Sequence, residues 1–207
     1  MKPVLAIASA LFILASPWVL YWTLSQHRVD LAAITLIVWV ILRTVPVVLT
    51  AKREHRAAAL QLPAIALVFV SLGWVFNNGT WLLVLPAATQ AAFGLAFLRS
   101  LRTMPLIEHF ARLMKPELSP AEQAHCRRWT WVWGGYLLVL AAIGLGLARW
   151  ATLATWTAYV GVVSYVLVGM LFAVEYVIRK TRFRDYGRNP LDWVLSKLFP
   201  ASRSDVS

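Results

Sequence analysis

Three polar side chains stand inside otherwise apolar runs of this chain: Arg43, Gln90 and Glu175. Arg43 lies about eight positions from the end of its run, roughly 12 Å at the helical rise of 1.5 Å per residue. A charge at such depth in a bilayer is costly, so it points by default to an ion, proton or headgroup site with a partner. The matching acid is Glu175, in "LVGMLFAVEYVIR". Two pairings are open to it: Arg43 across helices, or Arg179 four residues on in the favoured order. These leave a structural ion pair on one side and a lipid-headgroup or proton site on the other. Gln90, in mid-run, reads as an amide that bonds a neighbouring helix.

The remaining titratable groups carry less. His27, His55, His109 and His125 sit in or beside polar segments, without the spacing of a metal site, and read as solvated or interfacial. Cys126 is the single cysteine, which excludes an internal disulfide and gives no metal ligand set. No metal and no cofactor are expected. The chain has no Gly-x-Ser-x-Gly, no phosphate-binding loop and no acidic cluster of the phosphatidyltransferase kind. No motif therefore proposes an enzyme, and the reading leans toward a non-catalytic role.

The elements that must position these residues are apolar helices. The chain has 207 residues, 60% of them hydrophobic and only 14% charged. Runs near the roughly 20 residues that cross a bilayer fall at about 4–25, 29–51, 57–76, 81–98, 129–148 and 152–178. The expected fold class is all-α: a polytopic membrane protein with six transmembrane helices over 1–182, a loop at 99–128 and a tail at 183–207. The first run is longer than a signal-peptide core, and Pro17 spoils the nearest cleavage site, so it reads as a retained helix.

A formal charge of +11 resembles a nucleic-acid signal until its distribution is read. With the N-terminus inside, 17 of the 20 basic residues fall on inside segments, while Arg28 and Arg149 fall outside and Arg43 lies in a helix. This is the positive-inside pattern. It places both termini in the cytoplasm, expects membrane lipids as partners and expects no nucleic acid. Tryptophans agree: Trp18, Trp22, Trp74, Trp81, Trp150 and Trp156 fall at outer ends, and Trp129, Trp131 and Trp133 at the inner end of the fifth helix. Indoles favour that boundary.

Local signals refine the picture. Ser119 as N-cap, Pro120 at the first helical position and Glu122 at the third form a capping box. They predict one helix from Pro120 to about Ala148, held on the inner side by Arg127 and Arg128. In "MPLIEHFARLMKP", Leu106, Ile107, Phe110, Leu113 and Met114 recur at helical spacing, which predicts a helix lying on the membrane surface. "NPLDWVLSKLFP" repeats the pattern with Leu191, Val194, Leu195 and Leu198, predicting an amphipathic helix over about 190–199. Packing of either helix against the bundle is the alternative. "NNGT" reads as a tight outer turn. Each of the first four helices carries a proline, whereas the last two carry Gly134, Gly135, Gly144, Gly146, Gly161 and Gly169. With Ala142 and Gly146 as a small-xxx-small pair, the last two helices are expected to form a close hairpin.

The segments "MPLIEHFARLMKPELSPAEQAHCRRWTWVWG" (104–134) and "LVGMLFAVEYVIR" (167–179) resemble a family of small bacterial inner-membrane proteins. Its members are encoded in aryl-polyene or xanthomonadin-type pigment clusters. The likeness lies in the second half of the chain; the first four helices match only in being hydrophobic. The resemblance implies an accessory role for an arylated polyene lipid in the bacterial inner membrane, and it supplies no catalytic residues. Three functions are then open. The first is a scaffold that holds acyl-carrier protein or other cytoplasmic biosynthetic enzymes through Arg99, Arg102, Arg112, Lys115, Arg127 and Arg128. The second is a translocator of a lipid or polyene intermediate past Arg43 and Glu175. The third is an enzyme on a lipid-linked substrate. The scaffold is preferred, because acidic carrier proteins complement a basic inner surface.

Overall fold

The computed structural model describes residues 2–50, 56–184, 186 and 190–199. The side chains of Arg43 and Gln61 lie outside the described set, as does His55. Among the described residues all regular structure is helical: α1 (Lys2–Ser25), α2 (Val29–Thr50), α3 (Arg56–Val75), α4 (Thr80–Ser100), α5 (Leu106–Met114), α6 (Pro120–Trp150), α7 (Leu153–Ala158), α8 (Ser164–Phe183) and α9 (Pro190–Leu198). A π-helical turn at Tyr159–Val163 joins α7 to α8. Helices α4 and α6 and the continuous run Leu153–Phe183 are long and apolar enough to cross a membrane. Val29–Leu42 and Leu62–Val75 are shorter apolar helical stretches. Large apolar side chains such as Leu95, Val139, Val166 and Phe172 point outward. An exterior this apolar is unlike that of a protein solvated by water.

Two ends of the bundle differ in chemistry. At one, the turn end, short turns connect α1 to α2, α3 to α4 and α6 to α7. Here His27 and Asn77 adopt left-handed backbone, with φ of 55° and 45°. That conformation lets amides after each helix reach back to its last carbonyls: Arg28 to Thr23 O at 3.0 Å, and Asn78 to Gly73 O at 2.9 Å. Asn78 Oδ1 also accepts from the Thr80 amide at 3.0 Å, so "NNGT" is a tight turn. At the other, basic end lie α5, the start of α6 and the close of α8. There the Ser119 hydroxyl accepts from the Glu122 amide at 3.3 Å, and the Glu122 carboxylate accepts from the Ser119 amide at 2.8 Å. This capping box starts α6, which runs unbroken to Trp150.

The core sits toward the turn end. Leu20, Ala32, Ala33, Leu36, Val70, Leu82, Ala148 and Trp156 meet there, drawn from α1, α2, α3, α4, α6 and α7. Trp156 is therefore not a boundary anchor: it is 1% exposed, and its indole donates to Leu83 O at 3.2 Å. The first four helices pack in chain order, α6 packs along α4, and α7 with the π turn returns to α1. Gly161 in that turn faces Pro17 and Trp18.

The glycines of α6 do not make a close hairpin with α8. They face α4. A Cβ on Gly134 would stand 2.6 Å from Leu98 Cδ2, and one on Gly94 would stand 2.9 Å from Gly134 O. Gly144 meets Ala87 in the same seam. By contrast Gly135 and Gly169 look into open space, Gly146 touches only Trp150, and Ala142 is exposed. The physical reason is that close approach needs small residues on both partners. Helix α4 offers Gly94 and Ala87 in register with Gly134 and Gly144, whereas α8 presents no such match. Aromatic tips hold the last span instead: Tyr136 Oη donates to Leu167 O at 3.0 Å, and Tyr159 Oη to Leu140 O at 2.9 Å.

Candidate functional site at the basic end

The segment between α4 and α6 folds into an ordered platform. Arg112 binds Glu108 one turn back at 2.7 Å and the Pro116 carbonyl at 3.1 Å. Lys115 binds Glu122 at 2.9 Å. Arg127 crosses from α6 to the Leu101 carbonyl at 3.0 Å, where a cation also meets the negative end of the α4 dipole. The Ile107 amide donates to Thr130 Oγ1 at 3.3 Å, and the Leu106 amide to Ser100 Oγ at 3.0 Å, so side-chain hydroxyls satisfy the first turn of α5. Ala111, Leu118, Cys126 and Ile107 pack beneath. Burial alone would raise the Glu122 carboxyl, but the Lys115 ammonium and the Ser119 amide and hydroxyl hold it down at about 2.

These contacts divide the sequence-predicted basic surface. Arg112, Lys115 and Arg127 build the platform. Arg128 is exposed, and among the described residues no carboxylate lies within ion-pair distance of it. Arg99, Arg102 and Arg182 are likewise exposed and Arg179 is half-buried, and none of the four has a carboxylate of a described residue within ion-pair distance. In the sequence Arg182 counted only toward topology, and Arg179 toward topology and as a possible partner of Glu175; nothing there places either beside Arg128. The fold does so through His125 and Phe183, whose rings meet edge to face at 5.2 Å. Arg182 lies over the Phe183 ring at 5.7 Å, and Arg128 follows His125 by one turn.

His125 is accordingly not solvated. It is 3% exposed, and its Nε2 has no hydrogen-bond partner among the described residues. Burial lowers its pKa to about 4, with the charges of Arg182, Arg179 and Arg128 acting in the same direction. A polar flank misled the sequence reading: His125 turns toward α8 while Arg127 and Arg128 turn outward. His27 and His109 are exposed.

Of the two pairings expected for Glu175, the one with Arg179 is not formed, and the one with Arg43 lies outside the described residues. Glu175 is 8% exposed and accepts a 2.6 Å hydrogen bond from the Trp133 indole. Arg179 is not within ion-pair distance of it. Trp133, 3% exposed, is packed between Phe172 at 4.4 Å and Phe97 at 6.2 Å, so it belongs to the interior and not to the boundary. Trp131 does face outward, at 62% exposure. Gln90 is half-buried, and among the described residues no partner receives its side-chain amide. No grouping of His, Cys, Asp and Glu among the described residues has the arrangement of a metal site.

Both surface helices leave large apolar side chains exposed, while Ile107 and Ala111 of α5 pack inward. On α5, Phe110, Leu113 and Met114 are exposed while Glu108 and Ala111 face the bundle. On α9, Asp192 is 1% exposed and binds Lys180 at 3.0 Å and the Tyr176 hydroxyl, while Leu191, Val194 and Leu198 are exposed. Leu195's side chain lies outside the described set. On α9, docking through an acid with the apolar stripe outward is the reverse of packing in water.

Fold and surface together define an all-helical protein with an apolar exterior and three helices suited to crossing a membrane. Comparison with known proteins returns no matching family model, no matching curated protein and no matching solved structure.

Proposed function

We propose that the chain is a six-span inner-membrane protein with both termini in the cytoplasm. In this reading it serves as a non-catalytic scaffold that holds soluble biosynthetic enzymes at the membrane. The platform supports this most directly. Ion pairs lock its frame, and Arg128, Arg179 and Arg182 lie at the same end of the bundle as exposed Phe110, Leu113 and Met114. A rigid basic surface with an apolar neighbour suits an acidic partner such as an acyl-carrier protein, since charge steers the encounter and the apolar side chains slow release. The aryl-polyene context rests on the resemblance of residues 104–134 and 167–179 alone.

The test is a deletion in the native host, with the lipids of separated inner and outer membranes followed by absorbance and mass spectrometry. Loss or misplacement of a polyene lipid is the expected result. Unchanged lipids in both membranes would end the pigment reading. Complementation with Arg128→Glu, Arg179→Glu and Arg182→Glu combined then tests the platform, and full rescue would remove it as the docking surface. Arg112 and Lys115 are poor choices for this experiment, because their loss would break the platform itself.

One observation favours a second reading, translocation: a buried carboxylate, Glu175, lies between α6 and α8 with no cation within ion-pair distance among the described residues. On that reading Glu175→Gln and Arg43→Gln block export while synthesis continues. Export at the wild-type rate in both variants would remove it.

A further inference from the structure

The elbow between α4 and α5 borders an open groove of about 450 Å³ lined by Ala96, Arg99, Ser100, Arg102, Thr103 and Leu106. That volume is within the range of about 300–1,000 Å³ typical of small-molecule sites. We propose that this groove binds the phosphodiester headgroup of an anionic phospholipid. The inference rests on the membrane placement argued above and not on the docking of soluble enzymes.

Four features of the elbow carry it. Arg99 and Arg102 both line the groove, and neither has a carboxylate within ion-pair distance among the described residues. Two guanidinium groups on one concavity repel each other until an anion joins them, and planar guanidinium suits phosphate oxygens well. Second, Arg127 reaches the Leu101 carbonyl on the same elbow, adding a further positive charge from another helix. Third, Ser100 is committed: its Oγ donates to Phe97 O at 2.6 Å and accepts from the Leu106 amide. The shape of the elbow is thus held without any ligand, while the Thr103 hydroxyl makes no hydrogen bond to a described residue and can donate to a phosphate oxygen.

The fourth feature chooses between a soluble anion and a lipid. One turn back from Arg99 the wall becomes apolar, with Ala96 and Leu95 both exposed and Leu95 at 58%. These residues belong to α4, which is long and apolar enough to cross a membrane. The guanidinium groups therefore lie where such a helix leaves the hydrocarbon, and an acyl chain can run along Leu95 and Ala96 below them. Basic recesses at this level are where anionic headgroups are recognised.

The experiment is native mass spectrometry of the full chain in detergent, titrated with phosphatidylglycerol or with phosphatidylcholine of the same acyl chains. Wild type is expected to retain one phosphatidylglycerol far better than phosphatidylcholine. Arg99→Gln with Arg102→Gln should lower that retention about twenty-fivefold, since each basic residue at an anionic surface contributes about fivefold. Arg99→Lys with Arg102→Lys should restore most of it, and Arg149→Gln at the turn end should leave it unchanged. Should the glutamine variant not fold, Thr103→Cys carrying a bulky maleimide fills the groove with both arginines intact and should also abolish retention. Equal retention of the two lipids, or unchanged retention in the blocked or glutamine protein, would overturn the proposal. Displacement of the lipid by millimolar inorganic phosphate would also overturn it, leaving a site for the free anion. Release of the chain from membranes by alkaline carbonate would instead sink the membrane placement, so the two failures are distinguishable.

Discussion

The Trp133 indole donates to the Glu175 carboxylate at 2.6 Å in the interior between α6 and α8. This bond joins two helices that otherwise touch only lightly. Trp133→Phe keeps the ring packing against Phe172 but strands a buried carboxylate. Losing one partner of a buried polar pair costs about 1–3 kcal/mol. Thermal unfolding in detergent should show that loss, and a second change, Glu175→Leu, should recover part of it. A Trp133→Phe protein as stable as wild type would mean that Glu175 has another partner.

The α4–α6 seam makes a prediction of opposite signs at neighbouring glycines. Gly94→Ala drives a methyl toward the Gly134 carbonyl, a backbone atom that cannot turn aside, and overpacking of this kind costs about 1–3 kcal/mol. Gly134→Ala meets Leu98 Cδ2 at 2.6 Å and Cγ at 2.7 Å with the Gly94 carbonyl at 3.2 Å, so it should also destabilise, by less than Gly94→Ala only as far as Leu98 can swing away. Gly135→Ala enters open space and should be neutral or slightly stabilising, because alanine is the better helix former. Midpoint temperatures of the three variants, compared in one detergent, check the order.

His125 predicts a pH dependence of stability. Its pKa is lowered to about 4 from an ordinary 6.5. The unfolded chain therefore binds more protons than the folded one between those values. The stabilisation is complete above about 6.5 and is lost as pH falls toward about 4. His125→Phe removes the buried unpartnered nitrogen and keeps an aromatic ring against Phe183, so it should lose less stability than wild type between pH 6.5 and 4.5. Glu122 contributes in a lower window, between about 4.5 and about 2, and should not disturb that range. A wild-type midpoint that does not change over this interval would refute the assignment.

The platform can be opened at one ion pair. Glu122→Gln removes the charge that pairs with Lys115 while its amide oxygen can still accept from the Ser119 amide, a change worth about 0.2–1 kcal/mol at the start of α6. Hydrogen exchange over residues 106–122 should accelerate, while exchange in the α4–α6 seam stays slow. Uniform acceleration across the chain would show that the platform is not a separate unit.

The sequence by itself determined the elements and their chemistry. Apolar runs fall where the long helices lie, Ser119, Pro120 and Glu122 start α6, and the amphipathic segments became α5 and α9. All of these are local properties, set by residues within a few turns of one another. The tertiary structure alone decided which faces meet. It turned Gly134 and Gly144 toward α4, took Trp133 and Trp156 from the boundary into the interior, and gave Glu175 to an indole 42 positions away in sequence. It also set Arg128 near Arg182 through the contact of His125 with Phe183, and spent Arg112, Lys115 and Arg127 on the platform. In a chain where nearly every helix face is apolar, hydrophobic periodicity does not mark the buried side. The choice of neighbour therefore falls to the fit of small residues and to the few polar tips that must find partners across helices.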